Sequence, residues 1–151
     1  MNRIVPKLAP ALAVVAADQV IKAVVRARLA GAGQVVLIPR ILALRYAENR
    51  GAAFSFLKER PEIILTLTAL LLLSVGLWLF RTKDLRPLTS FALSLILGGG
   101  VGNLIDRVLS GFVTDYIEVL FVRFAIFNLA DCAICLGAFL CALSLLKKEP
   151  A

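Results

Sequence analysis

Four long apolar stretches constrain the fold of this chain more than any other feature of its sequence. They cover approximately residues 8–29, 63–80, 88–109 and 125–146. A helix needs about 20 mostly apolar residues to cross the hydrocarbon core of a bilayer, and each stretch is close to that length. Hydrophobic residues make up 60% of the chain, whereas soluble domains are about half apolar. The sequence therefore predicts a membrane all-α bundle of four transmembrane helices.

The first apolar stretch is not expected to be a cleavable signal peptide. It is too long, has no clear small-residue cleavage site, and carries Asp18, Lys22 and Arg26 within or at the end of its apolar run. It is therefore interpreted as the first helix of the bundle. A chain of 151 residues is about the size of one domain, so a single membrane-embedded domain spanning residues 1–151 is expected.

Two segments between the predicted helices have the composition of short strands. Residues 34–57 read QVVLIPRILALRY followed by AENRGAAFSFL, and residues 112–124 alternate loosely between apolar and polar side chains. Pro61 and Glu62 are typical of a helix start and separate the first segment from the second helix. If the helices alternate across the bilayer, both segments lie on the outer side. They are expected to form a small extracytoplasmic β-sheet.

The net charge of +7 fits a membrane protein better than a nucleic-acid-binding one, because no basic run is interleaved with aromatic residues. Basic residues near both termini and in the short second connection predict that both termini are cytoplasmic and that the chain meets anionic membrane lipid. These residues are Arg3, Lys7, Arg81, Lys83, Arg86, Lys147 and Lys148. The longer first connection is also basic, but the orientation rule gives most weight to short loops.

All three cysteines fall within the fourth apolar stretch. Cys132 and Cys135 form a C-x-x-C pair, but the chain has no histidine and no second pair that would complete a metal site. We interpret Cys132, Cys135 and Cys141 as small helix-packing residues rather than redox groups. No metal and no cofactor are expected.

Asp18 and Lys22 are charged residues at membrane depth. They are four residues apart with the acid first, which is the favourable order for an ion pair on one helix face. Ionisable groups in this environment are costly and usually functional. The sequence leaves two interpretations open, a structural pair that orients the first helix and a direct contact with substrate.

The sequence GGGVGNLIDR, residues 98–107, combines small and polar residues in the third helix. Gly98, Gly99, Gly100 and Gly102 permit close helix packing. Asn103, Asp106 and Arg107 stand at positions i, i+3 and i+4 and so share one helix face. A local salt bridge or a helix-end anchor is the structural interpretation of Asp106.

Asp115 and Asp131 form the pair of residues with the most informative chemistry. A short connection can bring them together. Two facing carboxyl groups are not easily both ionised, because their negative charges repel each other. One can then deprotonate water while the other hydrogen-bonds the carbonyl under attack, as in aspartic proteases. The absence of histidine excludes Ser-His and Cys-His catalysis and histidine-ligated zinc hydrolases. A Ser-Lys hydrolase using Lys22 is disfavoured because no serine has a matching spacing.

Two other classes of function compete with hydrolysis. A proton- or cation-coupled transporter could use Asp18 and the outer aspartates as a relay, but it would need ionisable groups along a path through the midplane. Here most of them gather at one end of the predicted bundle. A non-catalytic scaffold would explain the glycines and leave the converging aspartates without a reason.

Five short motifs resemble those of one peptidase family. ADQVIK, NRGAAFS, GNLIDR, VTDYIEV and FNLADCAI occur in this order between residues 17 and 134. Together they are similar to the motif regions of the lipoprotein signal peptidases, the bacterial type II signal peptidases. Tyr116 and Cys132 depart from the residues that are more common at their positions, and neither change removes a carboxylate.

The resemblance implies an intramembrane aspartic endopeptidase of the bacterial inner membrane, with its active site near the outer, periplasmic interface. Such enzymes remove the signal peptide of prolipoproteins by cutting N-terminal to a diacylglyceryl-modified cysteine, and globomycin inhibits them. The motifs imply that Asp115 and Asp131 are the catalytic dyad and that Asp106 is structural. The implied substrate-binding residues are Asp18, Lys22, Asn49, Gly51, Asn103, Arg107 and Asn128. We further expect a monomer in which the segment around NRGAAF closes over the site, with Gly51 giving the backbone freedom.

Overall fold

The structure of the protein is a computed structural model that describes residues 4–51 and 60–146. Its helices are α1 (Ile4–Leu29), α2 (Pro61–Arg81), α3 (Pro87–Ser110) and α4 (Leu129–Leu146), and its strands are β1 (Gln34–Ile38), β2 (Leu42–Asn49) and β3 (Val113–Val119). Within this part of the chain, all four helices are long and apolar enough to cross a membrane. The prediction of a multi-pass helical membrane protein is therefore confirmed.

Helix α3 is the centre of the bundle and packs against each of the other three helices. The core at one end contains Leu79 from α2, Ala92 and Leu93 from α3, and Cys141 from α4. The outward faces of α1, α2 and α4 carry many exposed leucines, valines and phenylalanines. Because lipid is as apolar as a protein core, these faces are suited to contact lipid chains.

The glycines of α3 allow the other helices to approach its backbone. A β-carbon on Gly98 would lie 2.7 Å from the carbonyl oxygen of Ala11 in α1. One on Gly99 would overlap the carbonyl oxygen of Ala130 in α4. The predicted close packing by these glycines is confirmed, and it brings the beginning of α4 directly against α3.

The three strands form one antiparallel sheet in the order β1-β2-β3. Asn49 in β2 is paired with Val113 in β3, and the register between these strands shifts between Leu44 and Ala47. The first four residues of β3 are buried, so this strand faces the helices. The predicted small sheet is confirmed for the described residues, while residues 52–57 of the first strand-like segment lie outside them.

The start of α4 was predicted incorrectly. The apolar stretch suggested residue 125, but the helix begins at Leu129. Phe127 instead pairs with Ile117 of β3, through an N–H···O bond in each direction at 2.8 and 3.1 Å. Phe127 therefore adds one bridge to the sheet, and residues 123–128 are not helical. At the other end of the chain, α1 begins at Ile4, earlier than predicted.

The cysteines are only partly the packing residues that the sequence suggested. Cys141 is buried in the bundle, whereas Cys132 and Cys135 are exposed on α4, and all three are free thiols. The packing interpretation is therefore wrong for Cys132 and Cys135. Among the described residues, no three cysteine, aspartate or glutamate side chains are grouped so that they could hold a metal ion.

We predict that Gly99→Ala destabilises the bundle by about 1–3 kcal/mol, because the added methyl group forces α3 and α4 apart. Thermal unfolding of the purified protein in detergent measures this. Gly76→Ala is the matched control, since a β-carbon at Gly76 in α2 meets nothing within 4 Å. It should be neutral or stabilising by up to about 1 kcal/mol. Equal unfolding temperatures for the two variants would contradict the packing role of Gly99.

Candidate active site

Asp115 and Asp131 are brought together by β3 and the first turn of α4. Asn128, just before α4, contacts both: its Nδ2 donates to Oδ1 of Asp115 at 2.6 Å, and its backbone N–H donates to Oδ2 of Asp131 at 3.2 Å. Asp115 is only 2% exposed. The two carboxyl groups that the sequence singled out are therefore linked through one asparagine.

The beginning of α4 is held by side chains from three different parts of the chain. Asn128 and Asp131 form a reciprocal capping box, since the Asp131 N–H donates to Oδ1 of Asn128 at 2.9 Å while Asp131 accepts the Asn128 N–H. The next free N–H groups donate to Oη of Tyr116 (from Leu129, 3.2 Å) and to Oδ1 of Asp18 (from Ala130, 3.1 Å). These acceptors fix the position of Asp131.

Asn103 on α3 connects Asp131 to the helix bundle. Its Nδ2 donates to Oδ1 of Asp131 at 2.8 Å, and its Oδ1 accepts from Nζ of Lys22 at 2.9 Å and from Nδ2 of Asn128 at 3.1 Å. Because each amide atom has a partner of the correct type, the orientation of this side chain is determined. Asn103 and Asn128 thus support the carboxylates from the side of the bundle.

Lys22 and Asp18 lie behind these asparagines and are completely buried. Nζ of Lys22 is 2.8 Å from Oδ2 of Asp18 and 3.2 Å from Oδ2 of Asp106. Of the two interpretations left open by the sequence, this burial favours the structural one. Asp106 is also buried, and its Oδ2 accepts the backbone N–H of Thr114 at 3.0 Å, in agreement with a structural role.

Asn49 approaches Asp115 from β2. Its Nδ2 donates to Oδ2 of Asp115 at 2.8 Å, and its Oδ1 accepts the backbone N–H of Gly51 at 3.1 Å. A cleft of about 260 Å³ opens beside it, between the end of β2, the start of α2 and the end of α3. Its lining residues are Asn49, Arg50, Glu62, Ile64, Leu65, Arg107 and Gly111.

Arg107 brings a positive charge to this cleft from the last turn of α3. Its guanidinium group interacts electrostatically with Asp131 and Asp115. This guanidinium group forms no hydrogen bond or salt bridge with any residue within 4–51 or 60–146. Its donors can therefore reach a molecule in the cleft.

The surroundings of Asp115 favour its protonated form. Burial raises the pKa of Asp115 to about 6, and the negative charge of Asp131 acts in the same direction. The hydrogen bonds from Asn49 and Asn128 oppose this rise. Asp115 can therefore hold a proton in a pH range where an ordinary aspartate is ionised. Burial also raises the pKa of the neighbouring Tyr116, to about 12.

Three supporting residues were not identified from the sequence: Tyr116, Arg26 and Thr114. Tyr116 caps α4, and Nη1 of Arg26 donates to Oγ1 of Thr114 at 3.0 Å. Arg26 was detectable in principle, because it follows Lys22 by four residues and so lies on the same face of α1. The contacts of Thr114 and Tyr116 join distant elements and leave no local pattern.

Comparison with known proteins places the chain in a family. The family model described as signal peptidase (SPase) II matches residues 10–147. The lipoprotein signal peptidase of Streptococcus thermophilus is 37% identical over 91% of this chain and 90% of its own length. That of Pseudomonas paraeruginosa is 41% identical over 87% and 82%.

A solved structure agrees with the sequence comparisons. A bacterial membrane enzyme solved at 1.9 Å by the in meso method has a TM-score of 0.88 and 29% identity to this chain, over 98% of this chain and 97% of that one. Similarity in sequence and in fold thus extends over nearly the whole length. The chain belongs to the signal peptidase II family, and it is a peptidase.

Proposed function

We propose that this peptidase removes the signal peptide from prolipoproteins by cleaving N-terminal to the diacylglyceryl-modified cysteine. The names of its relatives support the substrate class. The observation that carries the chemistry is the pair of carboxyl groups, Asp115 and Asp131, that Asn128 links beside a cleft. Such a pair can act on a peptide bond without a metal ion or a covalent nucleophile.

The two aspartates are proposed to have different roles because their surroundings differ. Asp131 lies in the first turn of α4, where the helix dipole stabilises negative charge. It also accepts hydrogen bonds from Asn103 and from the backbone of Asn128. Asp115 is buried with a raised pKa. Asp131 is therefore assigned as the base and Asp115 as the proton donor.

The reaction follows from this assignment. Asp131 removes a proton from water, and the water oxygen forms a bond to the carbonyl carbon. At the same time Asp115 gives its proton to the carbonyl oxygen, so the intermediate is a neutral diol. When the carbon–nitrogen bond breaks, the proton on Asp131 goes to the leaving amine and a diol proton returns to Asp115. The dyad ends with one proton, as it began.

The cleft offers both kinds of contact that a lipid-modified peptide needs. Arg107 and Asn49 present hydrogen-bond donors that can satisfy carbonyl oxygens of the peptide and the esters, which would otherwise be desolvated without partners. Ile64 and Leu65 line the same cleft on the side of α2, where an acyl chain can pass into the surrounding lipid. Gly51 is buried beside Asn49. Its proposed role is to give the backbone the freedom that closure of this segment over the site requires.

We infer that the active site faces the outer side of the cytoplasmic membrane. The sheet and the dyad lie at one end of the bundle. At the other end, Nζ of Lys7 donates to the carbonyl oxygens of Leu79 at 2.9 Å and Thr82 at 3.3 Å, next to the basic connection between α2 and α3. Positive charge in short loops favours the cytoplasmic side. In this orientation a monomer would receive its substrate from the outer leaflet and would be open there to globomycin.

We predict that Asp115→Asn and Asp131→Asn each lower kcat by at least about 100-fold, because each removes a proton-transfer group. The measurement is cleavage of a synthetic diacylglyceryl-cysteine prolipoprotein peptide by the purified protein in detergent. Glu118→Gln is the control: it removes a carboxylate from the same strand whose partners are Arg45 and Gln34, away from the dyad. If both folded aspartate variants cleave as fast as Glu118→Gln, the aspartic mechanism is wrong.

We predict that kcat/KM falls on the alkaline side with an apparent pKa of about 6 in the free enzyme, because Asp115 then loses the proton it must donate. The Asn49 hydrogen bond stabilises ionised Asp115. Asn49→Ala should therefore raise that pKa and move the alkaline limb to higher pH.

The control for this pH profile is Tyr46→Phe, which removes an exposed hydrogen bond to Glu48 from the same strand. Its alkaline limb should coincide with that of the wild type. A limb that moves to lower pH in Asn49→Ala would contradict the assignment of Asp115 as the proton donor.

A further inference from the structure

Thr114, the residue before Asp115, is held by two side chains that do not contact either catalytic carboxyl group. Oδ2 of Asp106 accepts its backbone N–H at 3.0 Å, and Nη1 of Arg26 donates to its Oγ1 at 3.0 Å. Thr114 is completely buried. The backbone N–H and the hydroxyl group of Thr114 are thus both hydrogen-bonded to charged side chains. Such hydrogen bonds are stronger than those between neutral groups.

Arg26 and Asp106 are also paired with each other. Nη1 of Arg26 lies 3.5 Å from Oδ1 of Asp106, while Lys22 takes the other carboxylate oxygen. The three residues Arg26, Asp106 and Thr114 therefore form a closed triangle between α1, α3 and β3. We call this triangle the Thr114 clamp.

The clamp lies next to a break in the pairing between β3 and β2. The register between β2 and β3 shifts between Leu44 and Ala47, and Ala47 is the partner of Asp115. A register shift of this kind interrupts the ladder of backbone hydrogen bonds. Beyond the shift only Asp115, Thr114 and Val113 are paired with β2, so contacts made from the helices add to this short pairing in fixing the position of Asp115.

We propose that Arg26 is a positioning residue that acts through Thr114 to hold Asp115 in the geometry required for proton donation. This inference rests on the proposed function, because it takes Asp115 to be catalytic. Arg26 is 34% exposed in its side chain, so the arginine is not required simply to fill the core. Its guanidinium fork suits simultaneous contact with a hydroxyl and a carboxylate.

The test compares cleavage kinetics of Arg26→Met, Thr114→Val and the double variant. Each single substitution removes the hydrogen bond between Arg26 and Thr114 with little change in volume, and Arg26→Met also removes the ion pair with Asp106. We expect each to lower kcat about tenfold, with KM within about twofold, since a small displacement of a catalytic group slows the reaction without weakening binding. Because both act on one contact, the double variant should also lose about tenfold rather than about a hundredfold.

Two further variants separate positioning from general damage. Thr114→Ser keeps the hydroxyl acceptor and should retain kcat within about twofold of the wild type. Arg28→Met removes an exposed arginine from the same helix and should leave kcat unchanged. Unchanged kcat in Arg26→Met, losses that multiply in the double variant, or an equal loss in Thr114→Ser would each overturn the proposal.

A measurement that does not need turnover distinguishes this proposal from the proposed function. Hydrogen–deuterium exchange of residues 113–119 should be faster in Arg26→Met and Thr114→Val than in the wild type or Arg28→Met, while exchange in α4 stays the same. Unchanged exchange in β3 would overturn the clamp. If wild-type protein fails to cleave the peptide, the proposed function fails, and the exchange data alone then decide whether Arg26 holds β3.

Discussion

The rest of the site depends on the contacts that the buried ammonium group of Lys22 makes. Its three partners are Asp18, Asp106 and Asn103. Each partner also contacts a second element, since Asp18 caps α4, Asp106 holds Thr114 in β3, and Asn103 supports Asp131. With Arg26 included, two cations face two carboxylates and the cluster is neutral. Removing one of the buried members, Lys22, Asp18 or Asp106, leaves an uncompensated buried charge, which costs about 3–5 kcal/mol.

This cluster solves a geometric problem that the apolar packing leaves open. The glycines of α3 bring the helices together, but apolar contacts in lipid do not specify how β3 is placed relative to α4. The hydrogen bonds that start at Lys22 are directional and reach both elements. The bundle therefore supplies proximity, while the buried polar network sets the relative position of Asp115 and Asp131. Catalysis by a carboxyl pair requires the second property as much as the first.

The sequence predicted the parts of this structure that leave local signals. Helix positions follow from apolar length, and the close approach at Gly99 follows from small residues. The start of α4 was missed because its acceptors, Asp18 and Tyr116, are remote in the chain, and because apolar residues before a helix look the same whether they are helical or extended. The exposure of Cys132 was missed because an apolar stretch does not distinguish lipid-facing from packed positions. The roles of Asp115 and Asp131 came from chemistry and resemblance, and they stay predictions.

The difference between the two aspartates originates in the elements that carry them. Asp131 belongs to a helix N-terminus, where the N–H of Asn128 and the helix dipole favour negative charge. Asp115 belongs to a buried strand, which offers no comparable field. Asn128 couples the two, because its Oδ1 accepts from Asp131 and its two Nδ2 protons go to Asp115 and Asn103. With all three sites used, the amide cannot turn without losing bonds. A strand and a helix start, joined by one fixed amide, therefore give two side chains of the same type different surroundings.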